Sequence, residues 1–177
     1  MAKKSTTVRQ RRASRKGKKV AVLVENIYED LELWYPVIRL REAGVDVTIV
    51  GPLKGKEYTS KHGYPATAEA GIKTVRAAQF DGVVIPGGYS PDKMRTSKDM
   101  VKFVADINKK GGFVAAICHA GWMLVEADIV KGKKFTCYQS IKTDVVNAGG
   151  KFQNKSVVVD GNLITSRTPA DLPDFMK

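Results

Sequence analysis

Four short apolar runs, rich in Val, Ile and Ala, constrain this chain most: Lys19–Glu25, Val45–Gly51, Asp81–Gly87 and Gly112–Cys118. Apolar runs of this length, continuous in all but Val45–Gly51, where Asp46 and Thr48 interrupt, are the mark of buried strands. Helical patterns lie between them. Residues 30–43 place Leu31, Trp34 and Ile38, and also Leu33, Val37 and Leu40, at helical spacings, and Gly44 ends the pattern. Pro36 falls inside it, which predicts a kink or a place in the first turn. Ser97–Lys110 repeats the pattern through Met100, Val101, Val104 and Ile107. Ala120–Val130 is strongly apolar and predicts a helix exposed on no side, and another helix is expected near Ile141–Ala148. The stretch from Gly51 to Gln79 predicts loop and short β structure, and Phe135–Tyr138 a short ordered segment. Ser156–Val159 and Asn162–Thr165 flank Asp160-Gly161, a hairpin signal. Buried strands alternating with helices predict an α/β domain, with a mostly parallel sheet covered on both faces.

Length and composition fit one globular domain: 177 residues, 43% hydrophobic and 27% charged. No apolar run is long enough to cross a bilayer, so no membrane association is expected. Two cysteines separated by eighteen intervening residues are not a disulfide framework, and two histidines leave few zinc ligands. The expectations are a reducing cytoplasm and no metal or cofactor. The net charge of +12 is local: residues 1–19 hold nine Lys or Arg and no acid, which leaves the remainder near +3. A disordered basic tail over 1–18 and a folded domain over 19–177 are expected. Three readings compete for the tail: a solvated extension, which like-charge blocks favour; a nonspecific phosphate-binding arm; and an Arg-rich transit peptide. Any binding of nucleic acid through it should be weak and salt-sensitive.

In such sheets, function collects at the carboxyl ends of strands. One strand ends at Cys118, followed at once by His119-Ala120-Gly121 and a helix. A sharp strand-to-helix turn lifts a nucleophile above the sheet, and the following amides favour its thiolate, which predicts a lowered thiol pKa. A lone cysteine after a strand is more often an inert core residue, and Cys137 fits that description. The adjacent histidine and small residues set Cys118 apart. A second strand ends in Pro86-Gly87-Gly88-Tyr89, whose amides could approach an oxyanion, although glycine at a strand end is also an ordinary turn. A third supplies Glu25, Glu29, Asp30 and Glu32. One acid pointing inward would oppose a thiolate unless protonated, in which case it could donate to sulfur.

Six blocks carry a resemblance: Tyr28-Glu-Asp-Leu-Glu-Leu-Trp-Tyr-Pro36, Lys61-His-Gly-Tyr64, Ile85-Pro-Gly-Gly-Tyr-Ser-Pro-Asp92, Ala116-Ile-Cys-His-Ala-Gly121, Ile141-Lys-Thr-Asp-Val-Val-Asn-Ala-Gly149 and Ser166-Arg-Thr-Pro-Ala-Asp-Leu172. In this order they resemble the ThiJ/PfpI superfamily, in particular its PfpI and general-stress branch. The resemblance implies a flavodoxin-like α/β sandwich with a nucleophile elbow. It implies Cys118 as nucleophile, His119 as its acid–base partner and Glu32 as the acid that hydrogen-bonds the cysteine. Gly88 and the His119 amide correspond to the oxyanion hole, and Gly87, Lys61, Tyr64 and Tyr138 to the pocket. Asp92 stands where the protease branch has a Glu that reaches from a neighbouring subunit to orient the histidine, so a dimer or hexamer is implied. Asp is one methylene shorter. The elbow also departs from many members by reading His-Ala-Gly-Trp. No histidine follows His119, so the triad of glutamine amidotransferases is absent.

Three functions follow. A cysteine hydrolase of the PfpI type would attack a peptide or amide carbonyl through Cys118. A deglycase or glyoxalase would use the same thiol on methylglyoxal adducts. An oxidation sensor or chaperone would need Cys118 but tolerate loss of His119.

Overall fold

The computed structural model describes residues 17–177, so the basic segment preceding them lies outside the described residues. A seven-stranded sheet forms the centre. Its strands are β1 (Lys19–Leu23), β2 (Asp46–Gly51), β5 (Ala70–Gly71), β6 (Gly82–Ile85), β7 (Phe113–Ile117), β10 (Val157–Asp160) and β11 (Leu163–Ser166). They run in the order β10-β11-β7-β6-β1-β2-β5. Every pairing is parallel except that of β10 with β11 at one edge. Two minor pairs, β3 (Glu57–Thr59) with β4 (Pro65–Thr67) and β8 (Lys134–Phe135) with β9 (Lys151–Phe152), complete the strands.

Side chains alternate across the sheet, as the period of two requires. Ala21, Leu23, Val83, Ile85, Val114 and Ala116 face one core, and Val20, Val22, Val24, Val84, Ala115 and Ile117 face the other. Helices α2 (Ser90–Met94), α3 (Lys98–Lys109), α4 (Gly121–Glu126) and α5 (Lys142–Asn147) cover the first face. Helices α1 (Asp30–Glu42) and α6 (Leu172–Phe175) cover the second. Both faces are therefore buried, which is why the inner strands read as unbroken apolar runs. Among the described residues no helix is long and apolar enough to cross a membrane.

Three expectations shift. Pro36 sits in the interior of α1 and not in its first turn. The helix expected over Ala120–Val130 is shorter and ends at Glu126, and that residue is exposed. Asp128 takes a left-handed φ of 52°, and the Ile129 amide bonds back to the Leu124 carbonyl, a closing turn that apolar patterning alone does not reveal. The hairpin pairs Asp160 with Leu163, so its turn residues are Gly161 and Asn162, one position later than expected.

Candidate active site

Strand β7 ends at Ile117, and the chain turns at Cys118 with φ of +61° before a 3-10 turn and α4. A non-glycine residue in this region is strained, and such strain collects at functional sites. The turn brings His119 Nδ1 to 3.2 Å from Cys118 Sγ, so the elbow lets two consecutive side chains meet. The other imidazole nitrogen, Nε2, lies 3.1 Å from Ser140 Oγ. Tyr138 stacks on the imidazole at 4.8 Å between ring centres, Tyr89 stacks at 6.1 Å, and Trp122 tilts against it at 5.4 Å. Sequence reasoning assigns no role to Ser140, Tyr89 or Trp122. Their roles depend on where turns place them, although the position of Tyr89 directly after Gly88 is a signal that could have found it.

Glu32 reaches the cysteine from α1. Glu29 caps that helix by accepting from the Glu32 amide at 2.8 Å, which fixes Glu32 in the first turn. The Glu32 side chain is wholly buried, and Oε2 accepts from the Gly87 amide at 2.8 Å. Oε1 has no hydrogen-bond partner among the described residues, and the Cys118 thiol is close enough to the carboxyl to influence its titration. Burial, reinforced by the charge of Glu29, pushes the Glu32 carboxyl up to about 8. It is therefore protonated near neutrality, and Oε1 is the oxygen left free to carry the proton.

Glycine is required beside it. A Cβ at Gly87 would lie 2.5 Å from Glu32 Oε2 and 2.7 Å from Cys118 Cβ. Gly88 has φ of +71°, and a Cβ there would lie 2.5 Å from the Ile27 carbonyl. Ile27 itself has φ of +66°, an outlying value for a β-branched residue, held by bonds to Thr59 and Tyr89.

The lowered thiol expected from the elbow is not what the surroundings produce. Burial pushes the Cys118 thiol up, and an ionised Glu32 pushes it further, while the amides of His119 and Gly88 pull it down. The second upward push vanishes while Glu32 holds its proton. The two amides assigned to the oxyanion hole thus face sulfur in the resting site. Burial, with the charge of Lys61, holds the His119 imidazolium below its ordinary pKa. A neutral imidazole can take the thiol proton on Nδ1 while its Nε2–H donates to Ser140. The raised thiol and the lowered imidazole both oppose that transfer at rest, and the His119 and Gly88 amides are the groups that favour charge on sulfur.

Cys118, His119, Glu32, Gly87, Gly88 and Tyr138 therefore converge, and Lys61 is close enough for its charge to reach Glu32 and His119. Tyr64 does not join them by side-chain contact with the cysteine: its ring packs edge-on against Trp34 at 5.8 Å. Asp92 lies exposed on α2, and the imidazole's partner within this chain is Ser140. Cys137 is buried against the α4–α5 face and its thiol is pushed up by burial, to about 12, as befits a core residue. Among the described residues, Glu29, Asp30 and His62 form a group that could hold a metal ion. Their atoms are already engaged: Glu29 caps α1, and Asp30 binds Ser60 at 2.6 Å and His62 at 2.7 Å.

Residues 18–177 match the model of the DJ-1/PfpI family. This chain belongs to the DJ-1/PfpI family. It is 42% identical to the putative cysteine protease YraA of Bacillus subtilis, over 90% of this chain and 94% of that one. It is 41% identical to protein/nucleic acid deglycase 2 of Escherichia coli, with the same coverage of both chains. Among solved structures, Drosophila melanogaster DJ-1beta superposes with a TM-score of 0.85 at 32% identity, covering 90% of this chain and 86% of that one. A two-domain protein of Anabaena variabilis, with DJ-1/ThiJ/PfpI-like and ferritin-like domains, gives a TM-score of 0.88 at 42% identity. The match covers 90% of this chain and 46% of that protein. The family includes proteins named for cysteine protease and for deglycase activity, so the cysteine-type enzyme and the flavodoxin-like sandwich are shared ground.

Proposed function

We propose that this chain is a cysteine-dependent deglycase, hydrolysing small carbonyl adducts of the methylglyoxal type through Cys118. The observation that carries the reading is the seclusion of the nucleophile. Cys118 is 6% exposed, beside an imidazole ringed by Tyr89, Trp122 and Tyr138. An adduct of a few heavy atoms can enter such a site, whereas a peptide amide needs a cleft on both sides of the sulfur. Cavities of about 750, 400 and 530 Å³ are lined by residues away from Cys118. The name of the Escherichia coli relative agrees with this reading.

The chemistry balances without an external oxidant. His119 takes the thiol proton as sulfur adds to the carbinol carbon, and the departing amine takes that proton as the C–N bond breaks. The hemithioacetal gives up its C–H proton to a base and regains one at the neighbouring carbonyl carbon. The first carbon is thereby oxidised to a thioester and the second reduced to an alcohol. Water cleaves the thioester and returns the thiol with a hydroxy acid. The amides of Gly88 and His119 would support the developing negative charge.

Peptide hydrolysis is the second reading, favoured by the name of the Bacillus subtilis relative. Parallel assays on methylglyoxal-modified N-acetyl-lysine and a fluorogenic peptide, with wild type and Cys118→Ala, separate the two. Cys118-dependent release of free amine and hydroxy acid, with no peptide cleavage, is expected. Peptide cleavage alone would overturn the deglycase reading. Turnover of neither, with Cys118 oxidised preferentially by peroxide, would move the assignment to the sensor.

The chain is further read as a homo-oligomer in which Asp92 of the partner subunit approaches His119. Sedimentation should show a dimer or larger species, and Asp92→Asn should lower kcat without dissociating it. A fully active monomer would remove this role.

A further inference from the structure

Three aromatic rings surround the imidazole of His119. Tyr138 lies 4.8 Å from it between ring centres at an angle of 27°, Tyr89 6.1 Å at 29°, and Trp122 5.4 Å at 56°. They come from three separate stretches of chain: the turn after Gly88, the first turn of α4 and the loop before α5. Packing alone does not account for them. Tyr89 is 61% exposed and Tyr138 40%, so two of the rings gain little by burial where they stand.

The third ring is tied down. Trp122 Nε1 donates to Asp144 Oδ2 on α5 at 2.8 Å, and the Arg95 guanidinium lies 6.0 Å from the indole centre. Arg95 is itself paired with Glu126 at 3.1 Å, which offsets its charge. A carboxylate that accepts from the indole N–H polarises the ring and leaves its face more negative. Trp also offers a cation the best face among the aromatic side chains.

The imidazole lacks a charge partner of its own. Among the described residues its hydrogen-bond neighbours are Cys118 Sγ and Ser140 Oγ, and neither is a carboxylate. Lys61, in the loop after β3, acts against a proton on the ring, as burial does. Asp92 is exposed on α2, and Asp144 is engaged by Trp122. A planar cation stacks readily on aromatic faces, which here can offset Lys61 and burial.

We propose that Trp122, anchored by Asp144, is a positioning residue that completes an aromatic cage with Tyr138 and Tyr89, and that this cage favours the imidazolium form of His119. The proton moves from Cys118 Sγ to His119 Nδ1, leaving thiolate and imidazolium side by side with no other reactant consumed. This role rests on the Cys118–His119 proton transfer of the proposed reaction and is independent of which carbonyl substrate follows. A carboxylate brought by Asp92 of a partner subunit would add to the cage, and every variant below leaves it intact.

The test follows the His119 imidazole Cε1–H signal by NMR in the full chain between pH 5 and 9. The chain has two histidines, so His62→Gln assigns the signal. Trp122→Leu keeps an apolar side chain but removes the aromatic face. It should lower the proton affinity of His119 about three- to tenfold and move its titration to lower pH. Trp122→Phe should recover most of that loss. Alkylation of Cys118 by iodoacetamide at pH 7 should fall by a similar factor in Trp122→Leu and recover in Trp122→Phe. An unchanged His119 titration in Trp122→Leu would overturn the proposal. So would equal losses in Trp122→Leu and Trp122→Phe, which would show a packing role. If circular dichroism shows Trp122→Leu unfolded, Tyr138→Leu and Tyr138→Phe decide by the same criterion, because Tyr138 is exposed enough to tolerate replacement. A shifted titration with no Cys118-dependent turnover of methylglyoxal-modified N-acetyl-lysine would uphold the cage and remove the deglycase reading.

Discussion

Glu32→Gln isolates the buried proton on which the site depends. In the fold the carboxyl is pushed up to about 8, against an ordinary value of 4.5. The folded state therefore binds this proton more tightly than the unfolded chain does. The stability it confers is complete below about 4.5 and is lost as pH rises through about 8. A tenfold difference in proton affinity between the two states is worth about 1.4 kcal/mol, so the loss between pH 5 and pH 7 should be about 2 to 3 kcal/mol. Across the whole window it approaches roughly 5 kcal/mol. Glutamine keeps an oxygen for the Gly87 amide and offers an N–H toward sulfur, but it has no charge to bury. Urea unfolding of wild type and variant at pH 5, 6, 7 and 8 gives the difference directly, with other titrating groups cancelling. The variant should be of similar stability at pH 5 and about 2 to 3 kcal/mol more stable, relative to wild type, at pH 7. Parallel curves from pH 5 to 8 would show that Glu32 is ionised in the fold, and the reasoning would fail.

Four further outcomes follow from the geometry. Alkylation of Cys118 by iodoacetamide should rise with pH and then flatten above about 8, where Glu32 loses its proton and opposes the thiolate; Glu32→Gln should continue rising. Gly87→Ala should abolish turnover and destabilise the fold, because its methyl group would meet both Glu32 and Cys118; thermal melts and kcat/KM report it. His119→Gln should lower kcat by about 10²- to 10⁴-fold, whereas Ser140→Ala should shift the lower limb of the pH–rate profile with little change in KM. A Ser140→Ala profile that superposes on wild type would remove Ser140 from the proton path.

Much of this is legible in the chain because the sheet is buried on both faces. Runs such as Val20–Val24 and Phe113–Ile117 carry their own signature, and the strand ends then locate the site. Cys118, His119, Glu32 and Gly88 can be assigned because their blocks match a family pattern, and the structure brings them together. What cannot be read depends on tertiary placement. Ser140 is an ordinary loop serine until the turn after Tyr138 folds over the imidazole. The positive φ of Ile27 contradicts the preference of a β-branched residue and is imposed by its neighbours. The thiol's direction is misread when the helix amides are weighed without the burial of sulfur and the closeness of Glu32. Apolar patterning overestimates α4 for a similar reason: Asp128 stops it through a backbone conformation that the pattern does not encode.

The most direct test of the central claim is to trap the covalent intermediate. Wild-type protein quenched in acid during turnover of methylglyoxal-modified N-acetyl-lysine should carry a lactoyl thioester on the peptide containing Cys118, and Cys118→Ala should carry none and turn nothing over. Undiminished turnover by Cys118→Ala, or an adduct confined to Cys137, would contradict the account.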